Sequence, residues 1–158
     1  MSLQNIKKLK ADKGFTIVEL LIVIVIIGIL AAITIVAYNG IQNRGKAASA
    51  QSAANTIVKK AEAANSIVST YPSSTGTGTG GFGANNESSL TGSGIVLAAF
   101  TTAPSNPATV EYQVCTTPAN GGARVAYWDY SSGTAGAKVT LNIGATCSAW
   151  GTALTGTF

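Results

Sequence analysis

Residues 13–37, KGFTIVELLIVIVIIGILAAITIVA, decide the fold of this chain. Glu19 is the only charged side chain between Lys13 and Arg44, and an apolar run follows it from residue 20 to residue 37. At a helical rise of about 1.5 Å per residue, such a run nearly crosses a hydrocarbon core of ~30 Å. A carboxylate costs about 2.5–3.5 kcal/mol at the centre of a membrane and less toward its surface, so Glu19 needs a compensating cation.

The same stretch resembles the class III signal of type IV pilins and related pseudopilins. The shared pattern is a basic leader, then Gly14 and Phe15, then Glu19 at the head of a hydrophobic helix. The resemblance implies that a membrane-embedded aspartyl prepilin peptidase cleaves between Gly14 and Phe15, and that the new amine of Phe15 is N-methylated. It also implies that the Glu19 carboxylate pairs with the N-terminal ammonium of a neighbouring subunit. Physical chemistry agrees, because an acid buried among helices is tolerated only beside a cation.

Two other interpretations fit part of this pattern. An ordinary secretory signal also has a basic and an apolar segment, but it is cut after the apolar run, at small residues such as Ala31-Ala32 or Ala37. A plain membrane anchor explains the apolar run and leaves Glu19 as an incidental acid at the membrane surface. Neither requires glycine, phenylalanine and glutamate at this spacing, which favours the pilin-type signal.

The charge of the chain lies mainly in its first residues. Residues before Phe15 carry +3 of the formal net charge of +4, which leaves +1 for the remainder. That balance is not the footprint of a nucleic-acid-binding protein, and we expect no specific nucleic-acid site. The cations of the leader instead favour its retention on the cytoplasmic side of a membrane.

Catalytic and metal-binding residue types are scarce. The chain has no histidine, and no nucleophile stands out beside a base, so we expect no enzyme, no catalytic residue and no cofactor. Asp129 is the only acid after Glu111, so the acid cluster of a calcium site is missing and we expect no metal. The two cysteines, Cys115 and Cys147, are an even number in a domain expected outside the cytoplasm, which favours a disulfide over two buried free thiols.

Five segments follow from the pattern. Residues 1–14 are a cleaved leader, and residues 15–45 are an apolar half-helix for the membrane or a filament core. Residues 46–70 form an amphipathic half-helix, because alanine, isoleucine and valine recur there at helical spacing. Proline after Tyr71 is expected to end the helix near residue 70. Residues 71–94 are a loop rich in glycine, serine and threonine, and residues 95–158 are a β-sheet head with a disulfide-tied tail.

The head shows the alternation of β-strands. An apolar run spans residues 95–100, and alternating patterns follow at 109–116, 123–130 and 138–143, with turns at 118–122 and 131–136. Val110, Tyr112 and Val114 share one face of the first alternating strand. We therefore predict an α+β fold, in which a long N-terminal helix packs on a small antiparallel β-meander.

The leading hypothesis is a structural subunit of a type IV pilus, which the resemblance links to adhesion, surface motility and DNA uptake. Its implied partners are other copies of itself, the prepilin peptidase, the assembly machinery of the cytoplasmic membrane, and surface ligands. The subunit would span that membrane once with its head outside, and then enter an extracellular filament. The alternatives are a type II secretion pseudopilin and a membrane-tethered monomeric binding module, whose ligand platform would use Tyr127, Trp128, Tyr130 and Trp150. The competing interpretation places these aromatic residues in the core or on the sheet surface.

Overall fold

A computed structural model describes residues 14–76, 81–83 and 87–158. Most of the predicted leader and parts of the predicted loop 71–94 therefore lie outside the described residues. The chain divides into an N-terminal unit, described from Gly14 to Asn39, and a head unit, Gly40–Phe158.

The helix α1 spans Ile17–Val68. It runs without interruption past Gly40 and Gly45, two residues that each cost roughly 1 kcal/mol relative to alanine in a helix interior. The helix ends at Val68, two residues before the predicted end near residue 70. Ser69 adopts a left-handed conformation, with φ of 55°, and its N–H donates to the carbonyl of Asn65 at 2.8 Å. This is a common helix termination, and it acts before the proline does.

The described part of the N-terminal unit consists of three residues of irregular backbone, Gly14, Phe15 and Thr16, and the part of α1 from Ile17 to Asn39. Every residue from Gly14 to Asn39 is exposed within the chain. In the part of the chain that the structure describes, one helix, α1, is long enough and apolar enough to cross a membrane, judged by length and composition. The composition of this unit explains its exposure, because a helix that is apolar on all sides is suited to lipid or to a helical bundle.

The head combines the C-terminal part of α1 with a mixed sheet. Its strands are β1 (Val96–Leu97), β2 (Thr109–Thr117), β3 (Ala119–Trp128), β4 (Lys138–Gly144), β5 (Ala149–Trp150) and β6 (Gly156–Thr157). The sheet order is β4-β3-β2-β1-β6, and β5 pairs with β2. The predicted antiparallel meander is present as β2, β3 and β4.

Two details of the predicted sheet were wrong. The sheet is not wholly antiparallel, because β1 pairs with β2 in parallel. Residues 98–108 leave the sheet after Leu97 and bring the chain back in the same direction, so that within the apolar run 95–100 only Val96 and Leu97 form a strand. The expected turn 118–122 is also shorter, since Pro118 alone separates β2 from β3. The loop expected at 131–136 is present and contains the short 3-10 helix Gly133–Ala135.

The core lies between α1 and the sheet. Val110, Tyr112 and Val114 are buried there, as the alternation predicted. The helix contributes one large side chain, Ile57, and three small ones to this core. The small ones are Ala53, Ala54 and Ala61, and all four are buried in the same cluster. Alanine lets a helix approach a sheet closely, and Ile57 fills the remaining space. Phe82 from the loop completes this core, with its ring edge-on to Tyr112 at a centroid distance of 4.8 Å.

The other face of the central strands is also covered. The Phe100 ring lies edge-on to Trp128 at 6.3 Å, and the Phe100 N–H donates to the carboxylate of Glu111 at 3.2 Å. Lys138 forms an ion pair with the same carboxylate at 2.7 Å. At the other end of β2, Cys115 is joined to Cys147 in the disulfide that the sequence favoured. The loop 98–108 and the C-terminal tail thus cover part of the sheet face opposite α1. The alternation in the sequence did not predict which segments would cover that face.

Candidate assembly site at the helix N-terminus

The candidate site lies in the first turn of α1 and the three residues before it, Gly14, Phe15 and Thr16. Gly14 and Phe15 precede the helix without regular secondary structure, and the Phe15 side chain is 82% exposed. A methyl group added at Gly14 would meet nothing within 4 Å. The Gly14–Phe15 peptide is therefore open to another molecule, and nothing in the described chain demands glycine at that position.

Glu19 is held by Thr16. The Thr16 N–H and the Thr16 hydroxyl both donate to Oε2 of Glu19, at 2.9 Å and 2.7 Å. The Glu19 N–H donates in return to Oγ1 of Thr16 at 3.2 Å. This reciprocal pair is a capping box, in which an N-cap threonine and a glutamate three residues later satisfy amide groups that the helix itself leaves unbonded.

Thr16 was not predicted to be part of the site. Its signal in the sequence is the pattern threonine-x-x-glutamate directly before an apolar run. From the sequence, Glu19 was predicted only as a charge in need of a cation. The structure adds that its carboxylate already accepts two hydrogen bonds from Thr16, close to the positive end of the helix dipole. An acid at this position is therefore less costly than one in the middle of α1.

The remaining predicted residues lie in the head unit and are not part of this site. Trp128 and Tyr130 are buried and Tyr127 is half-buried, so these three side chains belong to the packing of the head. Trp150 is half-buried and pairs through β5 with Cys115. Among the described residues, no group of three or more histidine, cysteine, aspartate or glutamate side chains is placed to hold a metal ion.

A titratable cluster in the head links the end of α1 to the sheet. The hydroxyl of Tyr71 donates to Oε1 of Glu62 at 2.9 Å. Burial, together with this bond to a carboxylate, raises the pKa of Tyr71 to about 12. Burial, with the nearby Tyr71 and Glu62, also raises the pKa of Tyr112 well above its usual value. The Tyr112 hydroxyl has no hydrogen-bond partner among the residues that the structure describes.

Comparison with known proteins places the similarity at the N-terminus. A family model described as a prokaryotic N-terminal methylation motif matches residues 9–35. Two fimbrial proteins of Pseudomonas aeruginosa are each 46% identical to this chain over 56 residues, which cover 35% of this chain and 36% of each relative. The chain thus spans about a third of the length of these curated relatives. No solved structure matches the chain. The predicted pilin-type signal is confirmed, and the chain carries the prokaryotic N-terminal methylation motif at residues 9–35.

Proposed function

We propose that this chain is the precursor of a structural subunit of a type IV pilus. In this proposal, the prepilin peptidase cleaves the chain between Gly14 and Phe15, and the Phe15 amine is methylated. The mature subunit waits in the cytoplasmic membrane with its head outside, and it then polymerises through residues 15–45 into a filament used for adhesion, surface motility and DNA uptake. The N-terminal motif and the two fimbrial relatives support this assignment.

One observation carries the proposal. The large apolar side chains of the N-terminal unit, from Phe15 to Tyr38, are 49–84% exposed. A continuous apolar surface of this kind marks a membrane or protein contact in a folded chain. Lipid satisfies it before assembly, and the helices of other copies satisfy it in a filament. A helix used only as a tether needs the lipid alone.

Glu19 supplies the step from membrane to filament. In the precursor, the backbone nitrogen of Phe15 is an uncharged amide, and Thr16 is the partner of the Glu19 carboxylate. Cleavage replaces that amide with an ammonium group. The carboxylate of one subunit then attracts the ammonium of another, and this attraction is strong because the surrounding helices exclude water. Thr16 keeps the acid solvated by hydrogen bonds until the second subunit arrives.

Three substitutions separate the charge of Glu19 from its capping role. Glu19→Gln keeps an acceptor for the Thr16 N–H, since glutamine also serves in a capping box, but it removes the charge. Glu19→Val removes both. Thr16→Ala removes the threonine hydroxyl and keeps the charge. We expect filaments sheared from the cell surface to be lost in both Glu19 variants and retained in Thr16→Ala, with mature subunit present in the membrane in every case.

The control is Glu87→Gln, which removes an exposed carboxylate of the head and should leave filament yield unchanged. Normal filament yield from Glu19→Gln would refute the charge-pairing step. Loss of cleavage in that variant would instead assign Glu19 to recognition by the peptidase. A mature subunit that stays monomeric in detergent and never forms filaments would favour the membrane-tethered binding module.

Gly14 tests the processing step. Because a Cβ at residue 14 meets nothing within 4 Å in the described chain, we expect Gly14→Val to leave the fold undisturbed. We expect the precursor to remain uncut, with an intact mass that includes residues 1–14, whereas the unmodified chain starts at a methylated Phe15. A mature N-terminus after Ala32 or Ala37 would contradict the proposal and indicate an ordinary secretory signal.

A further inference from the structure

A row of polar side chains crosses the three long strands of the head. Gln113 of β2 lies opposite Arg124 of β3, and Arg124 lies opposite Asn142 of β4. In the adjacent row, Tyr112 pairs with Val125 and Val125 with Leu141, and Tyr112 and Val125 belong to the core that packs on α1. Since successive side chains of a strand point to opposite faces, the polar row lies on the face turned away from α1.

Arg124 is fixed in this row by two contacts. Its Nε donates a hydrogen bond to Oε1 of Gln113. Its guanidinium carbon lies 4.8 Å from the centre of the Trp150 ring, a cation–π contact. Among the described residues no other hydrogen bond holds the guanidinium, so its two terminal nitrogens, and most of its five N–H donors, are available.

Arg124 has no acidic partner among the residues that the structure describes. The ion pair found there joins Lys138 to Glu111. Lys138 is the other cation of β3 and β4, so that cation already has an acidic partner. The two cations therefore differ, since Lys138 is neutralised by a buried carboxylate and Arg124 is oriented only by neutral groups. An oriented guanidinium without a counter-ion is a preformed site for an oxyanion.

The guanidinium opens into a cleft of about 360 Å³. Thr140, Asn142 and Thr146 contribute uncharged hydroxyl and amide groups to its wall, and Trp150 contributes an aromatic ring. This volume lies near the lower end of the range for small-molecule sites, about 300–1,000 Å³. The cleft therefore matches a small, polar and hydroxyl-rich compound with a single negative group.

The walls of the cleft are held by the backbone. The Ala145 N–H donates to the carbonyl of Gly121 at 2.9 Å. Gly144 has φ of +77°, and a methyl group there would come within 2.5 Å of the Tyr71 ring. The Trp150 side is tied to β2 by strand pairing and by the Cys115–Cys147 disulfide. Walls that are already ordered lose little entropy on binding.

We propose that this cleft binds the carboxylate of an acidic sugar. The carboxylate accepts two parallel hydrogen bonds from the terminal nitrogens of Arg124, while Thr140, Asn142 and Thr146 bond the sugar hydroxyls. A single positive charge matches a carboxylate better than a phosphate dianion, because no second cation lines the cleft among the described residues. The proposal concerns the single subunit and does not depend on polymerisation.

The test uses the full chain in detergent micelles, titrated at low salt with glucuronic acid and N-acetylneuraminic acid, and with glucose as the neutral control. The readout is the NMR signal of the Trp150 indole N–H. We expect saturable shifts with both acidic sugars and at least tenfold weaker binding of glucose. Titration with inorganic phosphate completes the set, and we expect phosphate to bind more weakly than glucuronic acid.

Arg124→Lys keeps the charge but loses the planar pair of donors, and Asn142→Ala removes one exposed wall group without touching the core. We expect each to weaken glucuronic acid binding, by at least tenfold for Arg124→Lys and severalfold for Asn142→Ala. Lys59→Gln, which removes an exposed cation on α1, is the matched control and should have no effect. Equal binding of glucose and glucuronic acid, tighter binding of phosphate, or unchanged binding in Arg124→Lys would each overturn the proposal.

Discussion

The two parts of α1 use the same residue types in opposite surroundings. Ile27, in the N-terminal unit, is 59% exposed, whereas Ile57, in the head unit, is fully buried. Ala31 and Ala32 are exposed, whereas Ala54 and Ala61 are completely covered by the head. Hydrophobicity alone therefore does not tell whether a helical residue stabilises its own fold. It stabilises the fold only where the same chain provides a covering surface.

The largest effect should come from shortening the two isoleucines. Ile57→Ala opens a cavity in the packed core and should destabilise the head by about 2–5 kcal/mol. Ile27→Ala removes the same atoms from a surface that the chain does not cover, and should leave the unfolding of the head unchanged. Near-ultraviolet circular dichroism of the full chain in detergent micelles measures both. Equal melting temperatures for the two variants would contradict the division of α1 into two environments.

Removing the disulfide should have the next largest effect, and only on the head. The bridge closes a loop with a sequence separation of 32 residues, and replacing both Cys115 and Cys147 by alanine should cost about 3–4 kcal/mol on the chain-entropy model. Thermal unfolding in micelles measures the loss. Cleavage at Gly14 should continue, because the N-terminal unit contains no cysteine. A cleavage defect in the double variant would show that the two units are not independent in processing.

Alkaline pH should also destabilise the head. The pKa of Tyr71 is raised to about 12 in the folded state because the neutral phenol is buried and bonded to Glu62. The folded state thus disfavours ionisation, so its stability is complete below pH ~10, the usual tyrosine pKa, and declines as the pH rises toward 12. Tyr71→Phe should cost about 0.5–1.5 kcal/mol at neutral pH and reduce the decline at high pH. An unchanged alkaline unfolding profile in this variant would contradict the assignment.

The smallest effect, of opposite sign, should come from Tyr112→Phe. The Tyr112 hydroxyl is buried and has no partner among the described residues, so its removal gives up no hydrogen bond found there. We expect stability to stay the same or to rise slightly, because the substitution removes a buried polar group that has no hydrogen-bond partner among the described residues. Urea unfolding of the two tyrosine variants side by side measures the contrast. A larger loss in Tyr112→Phe than in Tyr71→Phe would contradict it.

The sequence by itself determined the features that depend on local pattern. The long apolar run predicted the first part of α1, and the alternation of Val110, Tyr112 and Val114 predicted a strand with a buried face. Gly14, Phe15 and Glu19 were identified from the resemblance of residues 13–37 to the class III signal, which is a contiguous sequence pattern, and their roles in cleavage and assembly stay predictions. Thr16 was within reach of the same reasoning, since a capping box is also a local pattern.

Only the tertiary structure decided what depends on contacts between distant segments. The parallel pairing of β1 with β2, the burial of Glu111 beside Lys138 and the row from Gln113 to Asn142 each join residues far apart in the chain. Periodicity tells which side chains share a face, but not which other strand or loop will cover that face. That choice depends on the total free energy of packing, to which every segment of the head contributes.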